Sequence, residues 1–326
     1  MKSDKFIFRK RKPIRHFRSW LRYQMLRYSF SREREIRNMR HFLAGKLMGT
    51  CDNGRPLKLI VSLTSFPQRM TIPNVVPLAL YSLLNQSMKP DQIILYLSEE
   101  EFPRGEADVP REILNFVPHG LTIRIEGANI RSYKKLIPAL KEFPEEFIVT
   151  ADDDVWYPRN WLKKLWETSL HHPGMTIGHR FKYVTTSPER ILDYNHWDCD
   201  TPSPLGAYRN FLTGCGGILY PPGVLHRDVL KEELFMKIAP TADDIWFWAM
   251  TVLNGNQAAV VPHGYNAFIG LLPEENHGPM LSAENVYGPG NDIALGQLFS
   301  HYPEAERMIL AEKCYDVDQS FQTFRE

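Results

Sequence analysis

Long apolar runs are missing from this chain of 326 residues, and none approaches the length of a membrane span. The early stretch FIFRKRKPIRHF (6–17) is too polar for a secretory leader, so an anchored lumenal protein is not expected. Cysteine is scarce. Cys51, Cys199, Cys215 and Cys314 lie far apart, with neither metal-finger nor redox spacing, which points to reduced thiols in a cytoplasmic setting. The eleven histidines contain no HExxH or similar paired ligands. Internal repeats and low-complexity linkers are absent as well.

Charge is present in both signs, but unevenly. Residues 1–50 hold fifteen Lys/Arg and three Asp/Glu, a balance of +12, while the remainder holds 24 and 35, a balance of −11. A basic arm (1–50) therefore precedes an acidic body (51–300) and a tail (301–326). The arm's RKRKPIRHFRSWLRYQMLRYSF (9–30) interleaves arginines with Phe17, Trp20, Leu21, Tyr23, Met25, Leu26 and Tyr28. That composition suits an anionic membrane surface or a contact with the acidic body. Nucleic acid would also attract it, but nothing downstream resembles a nucleic-acid module.

The chain is 43% hydrophobic, enough for a proper core, and its body alternates strand-like and helical patterns. LKLIVSL (57–63), DQIILYLS (91–98), LTIRIEG (121–127) and FIVTA (147–151) read as strands, the first two as buried central ones. VVPLALYSLLNQ (75–86), PREILNFV (110–117) and SYKKLIPALKEF (132–143) read as helices, the last kinked at Pro138. The expected fold is a doubly wound α/β body with a mostly parallel sheet. Beyond Leu170 the pattern breaks into short strands, one strong helix in TADDIWFWAMTVLNGN (241–256), and a Gly/Pro/Asn-rich stretch to residue 300.

Asp152, Asp153 and Asp154 follow directly on the strand FIVTA. Ligands of such sheets bind beyond the carboxyl ends of strands, and clustered carboxylates repel unless water or a cation accompanies them. Two carboxylates with open positions suit Mg²⁺ or Mn²⁺, which take phosphate oxygens as further ligands. The alternative is an Asx cap on the helix starting near Pro158. Asp243 and Asp244 open another helix, where they serve either as acids beside a substrate hydroxyl or as favourable first-turn charges behind a Thr241 cap. Gly214, Gly216 and Gly217 allow backbone to approach a substrate, or simply make a tight turn. Lys134 and Lys135, with Arg69 and Arg180 behind them, are candidate diphosphate cations; a solvated helix face is the alternative for the lysines. Cys215 has no base placed for it and is not expected to be a nucleophile.

Four stretches in order resemble the GT-A glycosyltransferases, near the large inverting family 2: IVSLTSFPQR (60–69), YSLLNQSMKPDQIILYLS (81–98), VTADDDVWYP (149–158), and FLTGCGGILYPP (211–222) followed by TADDIWFWAM (241–250). The likeness runs from Leu57 to Val261. It implies a nucleotide half at about 55–155 and an acceptor half at about 156–300. It also implies a nucleotide site on Thr64, Ser65, Phe66 and Arg69 with Lys134, Lys135, Asp152 and Asp153. Metal would fall to Asp152 and Asp154, with a late histidine, His277 or else His263, as third ligand. Glu99 or Glu100 stands near the family's acid after the second strand. Asp244 would be the general base and Asp243 would bind acceptor hydroxyls, or the reverse. The expected activity is inverting, metal-dependent transfer of a hexosyl-type sugar from a nucleotide-diphosphate sugar, UDP-sugars being the commonest donors, to a glycan or lipid-linked acceptor. The resemblance is nearest to cytoplasmic enzymes of bacterial surface-polysaccharide synthesis, with the arm at the inner face of the plasma membrane. The alternatives are a nucleotidyltransferase, disfavoured because SLTSFPQR lacks a glycine-rich phosphate loop, and a non-catalytic carbohydrate-binding protein of the same fold.

Overall fold

The structure, a computed structural model, describes residues 25–27, 29–198, 205–262, 268–272 and 281–312. The central sheet is built from β1 (Leu59–Thr64), β2 (Gln92–Leu97), β3 (Leu121–Ile125), β4 (Phe147–Thr150), β6 (Thr176–Gly178), β9 (Ile218–Tyr220) and β10 (Ala258–Val260), in the order β10-β6-β9-β4-β1-β2-β3. Neighbours are parallel except at β9, which runs antiparallel to both β4 and β6. Two short antiparallel ribbons complete the strands: β5 (Val155–Trp156) with β11 (Ile269–Gly270), and β7 (Phe181–Tyr183) with β8 (Asn210–Leu212). The α/β expectation and its mostly parallel sheet hold.

The continuous apolar runs of β1 and β2 follow from burial on both faces. Side chains alternate between two cores. Ile60, Ile94, Tyr96 and Ile148 pack on one face, under α3 (Ile137–Glu142), α5 (Asp243–Leu253), α6 (Gly290–His301) and α7 (Pro303–Ala311). Leu59, Val61, Leu63, Ile93, Leu95 and Val149 pack on the other, under α1 (Arg32–Ala44), α2 (Val75–Leu84) and α4 (Trp161–His171). Helix α5 is apolar nearly all round and is covered accordingly, with Ile245, Trp246, Phe247 and Met250 buried. Each such side chain contributes about 1.5–3 kcal/mol, so this helix anchors the acids at its start.

Three sequence expectations change. Residues 32–44, assigned to the arm, form α1. Ser31 caps it, Met39 and Phe42 are buried, and the Phe42 ring lies 5.6 Å from Tyr81 and 4.9 Å from His119. The body therefore starts before residue 50. It also extends past residue 300, because α6 and α7 pack on α5 with Leu298, Ala305 and Ile309 buried. Pro138 does not kink a helix. A 3₁₀ turn (Arg131–Lys135) precedes it, and Pro138 sits in the first turn of α3, where its missing N–H costs nothing. No helix among the described residues is long and apolar enough to cross a membrane.

Candidate active site

Register brings the candidate residues to one edge. Thr64 pairs with Tyr96 and Ser62 with Thr150, so β1, β2 and β4 end together and Ser65, Ser98 and Asp152 emerge side by side. Because β9 runs the other way, its start lies at that same edge: Ile218 faces both Thr150 and Gly178. The glycine turn before β9 is thereby set beside the aspartates. The start of α5 completes the group, since the Gly214 N–H donates to Asp244 Oδ2 at 2.9 Å.

Each aspartate has a different nearest counterpart. Asp153 points inward, buried, and accepts from Ser65 Oγ at 2.5 Å. Asp154 accepts from Arg69 Nη1 at 2.6 Å, and the Arg69 guanidinium also lies 5.4 Å from the Phe66 ring centroid. Asp152 Oδ1 lies 3.2 Å from Lys135 Nζ. The loop after β1 and the loop after β4 are thus tied twice, through Ser65 and through Arg69. Thr64 belongs to the scaffold, its Oγ1 donating to the Tyr96 carbonyl at 2.7 Å. The Asx-cap alternative fails: α4 begins only at Trp161, behind Asn160, and no side chain caps it.

Lys135 joins the acids after β4 to those at the start of α5. Its Nζ stands 3.2 Å from Asp152 and 3.0 Å from Asp243 Oδ2, and the lysine is 93% covered at 7% exposure. Burial works against its charge, but Asp152, Asp243 and Asp244 more than offset that and hold its pKa well above the ordinary lysine value. Lys134 turns elsewhere: it is also buried, and it pairs with Glu101 and with Asn129 Oδ1 at 3.0 Å. The solvated-face reading of both lysines is therefore corrected, and Lys134 is not beside the aspartates. Glu101 is the acid that engages after β2, bonding Ser98 Oγ at 2.8 Å, whereas Glu99 and Glu100 are exposed.

Asp243 and Asp244 differ although adjacent. Thr241 caps neither; its Oγ1 bonds Asn285 Oδ1 at 2.9 Å, and α5 has no side-chain cap. Asp243 is occupied by Lys135. Asp244 rests on the Gly214 N–H through Oδ2, and its Oδ1 is covered with no hydrogen-bond partner. Burial first and neighbouring Asp243 second push the Asp244 pKa up to about 7, against the pull of Lys135 and the Gly214 N–H. Asp153 is also raised to about 7, by burial and then by Asp154.

Of the three glycines only Gly214 lines the acids: a Cβ there would stand 2.7 Å from Lys135 Nζ and 2.8 Å from Asp244 Oδ1. Gly216 is packed on Arg180, and Gly217 has φ +83 with the Trp161 ring 2.3 Å from a would-be Cβ. Arg180 Nη1 contacts Cys215 Sγ at 3.1 Å and Thr213 Oγ1 at 3.3 Å, so it braces this turn. Cys215 is raised in pKa, chiefly by burial, in keeping with an inert thiol. Tyr157 and Trp161, not singled out from sequence as site residues, link the loops: Asp152 N–H donates to Tyr157 Oη at 2.9 Å, and Trp161 Nε1 donates to the Gly216 carbonyl at 2.8 Å. Gly217→Ala is expected to destabilise the fold, since both the backbone angle and the indole oppose it. Gly214→Ala should keep the fold, because only side-chain ends must move, while impairing the Lys135–Asp244 geometry. Thermal melts beside an activity assay separate the two; equal melting losses would contradict this division.

His277 and His263 lie outside the described residues. Among the described residues no group of three or more His, Cys, Asp or Glu side chains is arranged to hold a metal.

No family model and no curated protein matches the sequence. In fold the chain is similar to a mannosyltransferase from Pyrobaculum calidifontis solved with GDP-Man and Mn²⁺ (14% identity, TM-score 0.43, covering 91% of this chain and 82% of that one). It is similar to S. aureus TarS residues 1–349 (15%, TM-score 0.42, 63% of this chain and 58% of that one), so it spans less than two thirds of that protein's length. It is also similar to the inositol-1-phosphate CTP transferase of T. maritima (13%, TM-score 0.39, 74% of this chain and 95% of that one).

Proposed function

We propose that the protein is a glycosyltransferase that moves a sugar from a nucleotide-diphosphate sugar to a hydroxyl acceptor with inversion. The observation that carries this is the Asp244 carboxylate: one oxygen fixed by the Gly214 N–H, the other unpartnered, with a pKa of about 7. A general base works best when its pKa lies near the working pH. Asp244 would take the acceptor proton as the hydroxyl attacks the anomeric carbon. Asp243, held by Lys135, would orient acceptor hydroxyls. Lys135 and Arg69 would stabilise charge that builds on the departing diphosphate. Glu101 and Lys134, an acceptor and a donor beside the end of β2, would face the nucleotide's base.

A divalent ion fits this edge as a site completed by substrate. Asp152 and Asp154 keep 26% and 24% of their side chains exposed, whereas Asp153 is turned in. Two carboxylates with water and phosphate oxygens satisfy Mg²⁺ or Mn²⁺, which need no all-protein cage. When bound, such an ion would neutralise diphosphate charge. The residues themselves bind, orient and move the proton.

A nucleotidyltransferase would have less use for Asp244, because a phosphate nucleophile arrives already ionised. The deciding assay follows products from a panel of nucleotide sugars and of nucleoside triphosphates with sugar phosphates, with Mn²⁺ or Mg²⁺. Release of nucleoside diphosphate supports transfer; release of pyrophosphate alone would overturn it. The pH dependence is a second check. A base must be ionised, so kcat/KM should rise with pH through about 7. A profile that falls across that range would contradict the assignment. The basic residues ahead of α1 suit anionic lipid, and the site would then work at the inner membrane face; co-sedimentation with phosphatidylserine vesicles at low and high salt tests this.

A further inference from the structure

The ribbon that follows the aspartates is too short to hold itself. β5 and β11 contribute two residues each, and isolated pairs far longer than this are only marginally stable in water. Something must fix it, because β5 continues directly from Asp154. The Leu271 N–H, just past β11, donates to the Asp154 carbonyl at 2.7 Å. Leu271 is buried, and its own carbonyl accepts from Arg32 Nη1 at 2.8 Å. The second arm of that guanidinium, Nη2, donates to the Pro73 carbonyl at 3.2 Å. Pro73 follows the short helix Pro67–Met70 that carries Arg69. Two residues earlier than Arg32, the Phe30 ring lies 5.1 Å from the Trp156 ring in β5. The start of α1 therefore touches the Asp154 segment by ring contact and by a hydrogen-bonded relay, and ties it to the loop that supplies its partner arginine.

We infer that the start of α1 is a working part of the donor site, with Arg32 as the positioning residue for Asp154. This rests on the donor-site reading proposed above. Arg32 touches neither substrate nor metal; it acts through Leu271 and Pro73. The choice of arginine has a geometric reason. Its planar fork can serve two carbonyls at once in fixed directions, which a lysine ammonium on a flexible stem does not reproduce. The Leu271 carbonyl is partly buried, so leaving it without its donor carries a cost, and loss of the fork should loosen the ribbon rather than leave it in place. The segment read from sequence as a basic arm thus governs how firmly the donor aspartate is held.

The test uses the full chain and the variants Arg32→Ala, Arg32→Lys and, as control, Arg37→Ala, an exposed position on the same helix. Hydrogen exchange of peptides covering 154–156 and 269–271 reads the clamp directly. Calorimetry with UDP and GDP plus Mn²⁺ reads its effect on the donor site, and steady-state kinetics separate donor KM from kcat. Both Arg32 variants should exchange faster at these peptides and bind nucleoside diphosphate about tenfold more weakly, the size expected when a group behind a ligand is removed. Donor KM should rise with kcat near the parent value, a split that general loss of folded protein would not give. Arg32→Lys should resemble Arg32→Ala rather than the parent. Exchange and affinity indistinguishable from Arg37→Ala would overturn the inference. If the parent binds neither nucleotide, the donor-site reading fails, and with it Arg32's role there. Exchange still decides whether the clamp exists.

Discussion

Asp244→Asn should lower the rate of transfer about 10²–10⁴-fold, the range typical for loss of a positioned general base, while donor and metal affinity stay within a few-fold of the parent. Asparagine keeps the size of the side chain and can still accept from the Gly214 N–H. It cannot take the acceptor proton at the Oδ1 position, the atom with no partner. The loss should therefore fall on kcat and kcat/KM together. The rising limb of the pH profile near 7 should disappear from the residual activity. Asp154→Asn should behave differently and weaken donor and metal binding together. Single-turnover rates and calorimetry on the two variants make the comparison. Activity within about tenfold of the parent would sink the base assignment, and Asp243→Asn would show whether its neighbour carries the role.

Lys135→Met should be the most damaging change to stability. It leaves Asp152, Asp243 and Asp244 facing one another around an apolar side chain. Breaking a buried pair in this way typically costs about 3–5 kcal/mol, a fall in Tm on the order of 10 °C. The pH dependence has a definite sign. The pKa of Lys135 is raised in the fold, so its own contribution is complete throughout the neutral and acid range and is lost only at strongly alkaline pH. The deficit left by its removal depends on its partners. The repulsion is greatest when Asp244 carries its charge, toward alkaline pH. Lys135 lowers the Asp244 pKa, so without it Asp244 takes up its proton above the parent's value of about 7, and the deficit shrinks as pH falls. Melting curves of parent and variant at about pH 8 and pH 5.5 test this. A deficit that grows toward acid pH would show that Lys135 does not balance these carboxylates. Adding Asp243→Asn to Lys135→Met should recover part of the loss.

The central strands were legible because β1, β2 and β4 are continuous apolar runs with β-branched residues, a pattern that survives any context. Helix α5 was legible for the same reason. Helices α6 and α7 were not. Gly290 and Gly296 lower helix propensity, and Pro289 and Pro303 read as loop punctuation, yet both prolines stand at helix starts. Helix α1 was hidden by its charge: a sequence rich in arginine reads as solvated, and only Met39 and Phe42 signal the buried stripe. At the site, residue type was readable but direction was not. Adjacent Lys134 and Lys135 leave a 3₁₀ turn toward different acids, and nothing in KK distinguishes them. Likewise Glu101 engages while Glu99 and Glu100 do not, a matter of backbone turn within three identical residues.

The antiparallel strand β9 has a consequence for the chain as it is being made. One side of β4 finds β1 already synthesised, but the other side must wait for Ile218–Tyr220. A ribosome adding about 5–20 residues per second needs several seconds to cover that interval. Throughout it, β4 offers an open row of amide and carbonyl groups, the template on which unfinished chains join one another. Residues 151–217 are therefore a stretch of translation during which a central strand stays half-paired, and slow codons there would prolong that exposure.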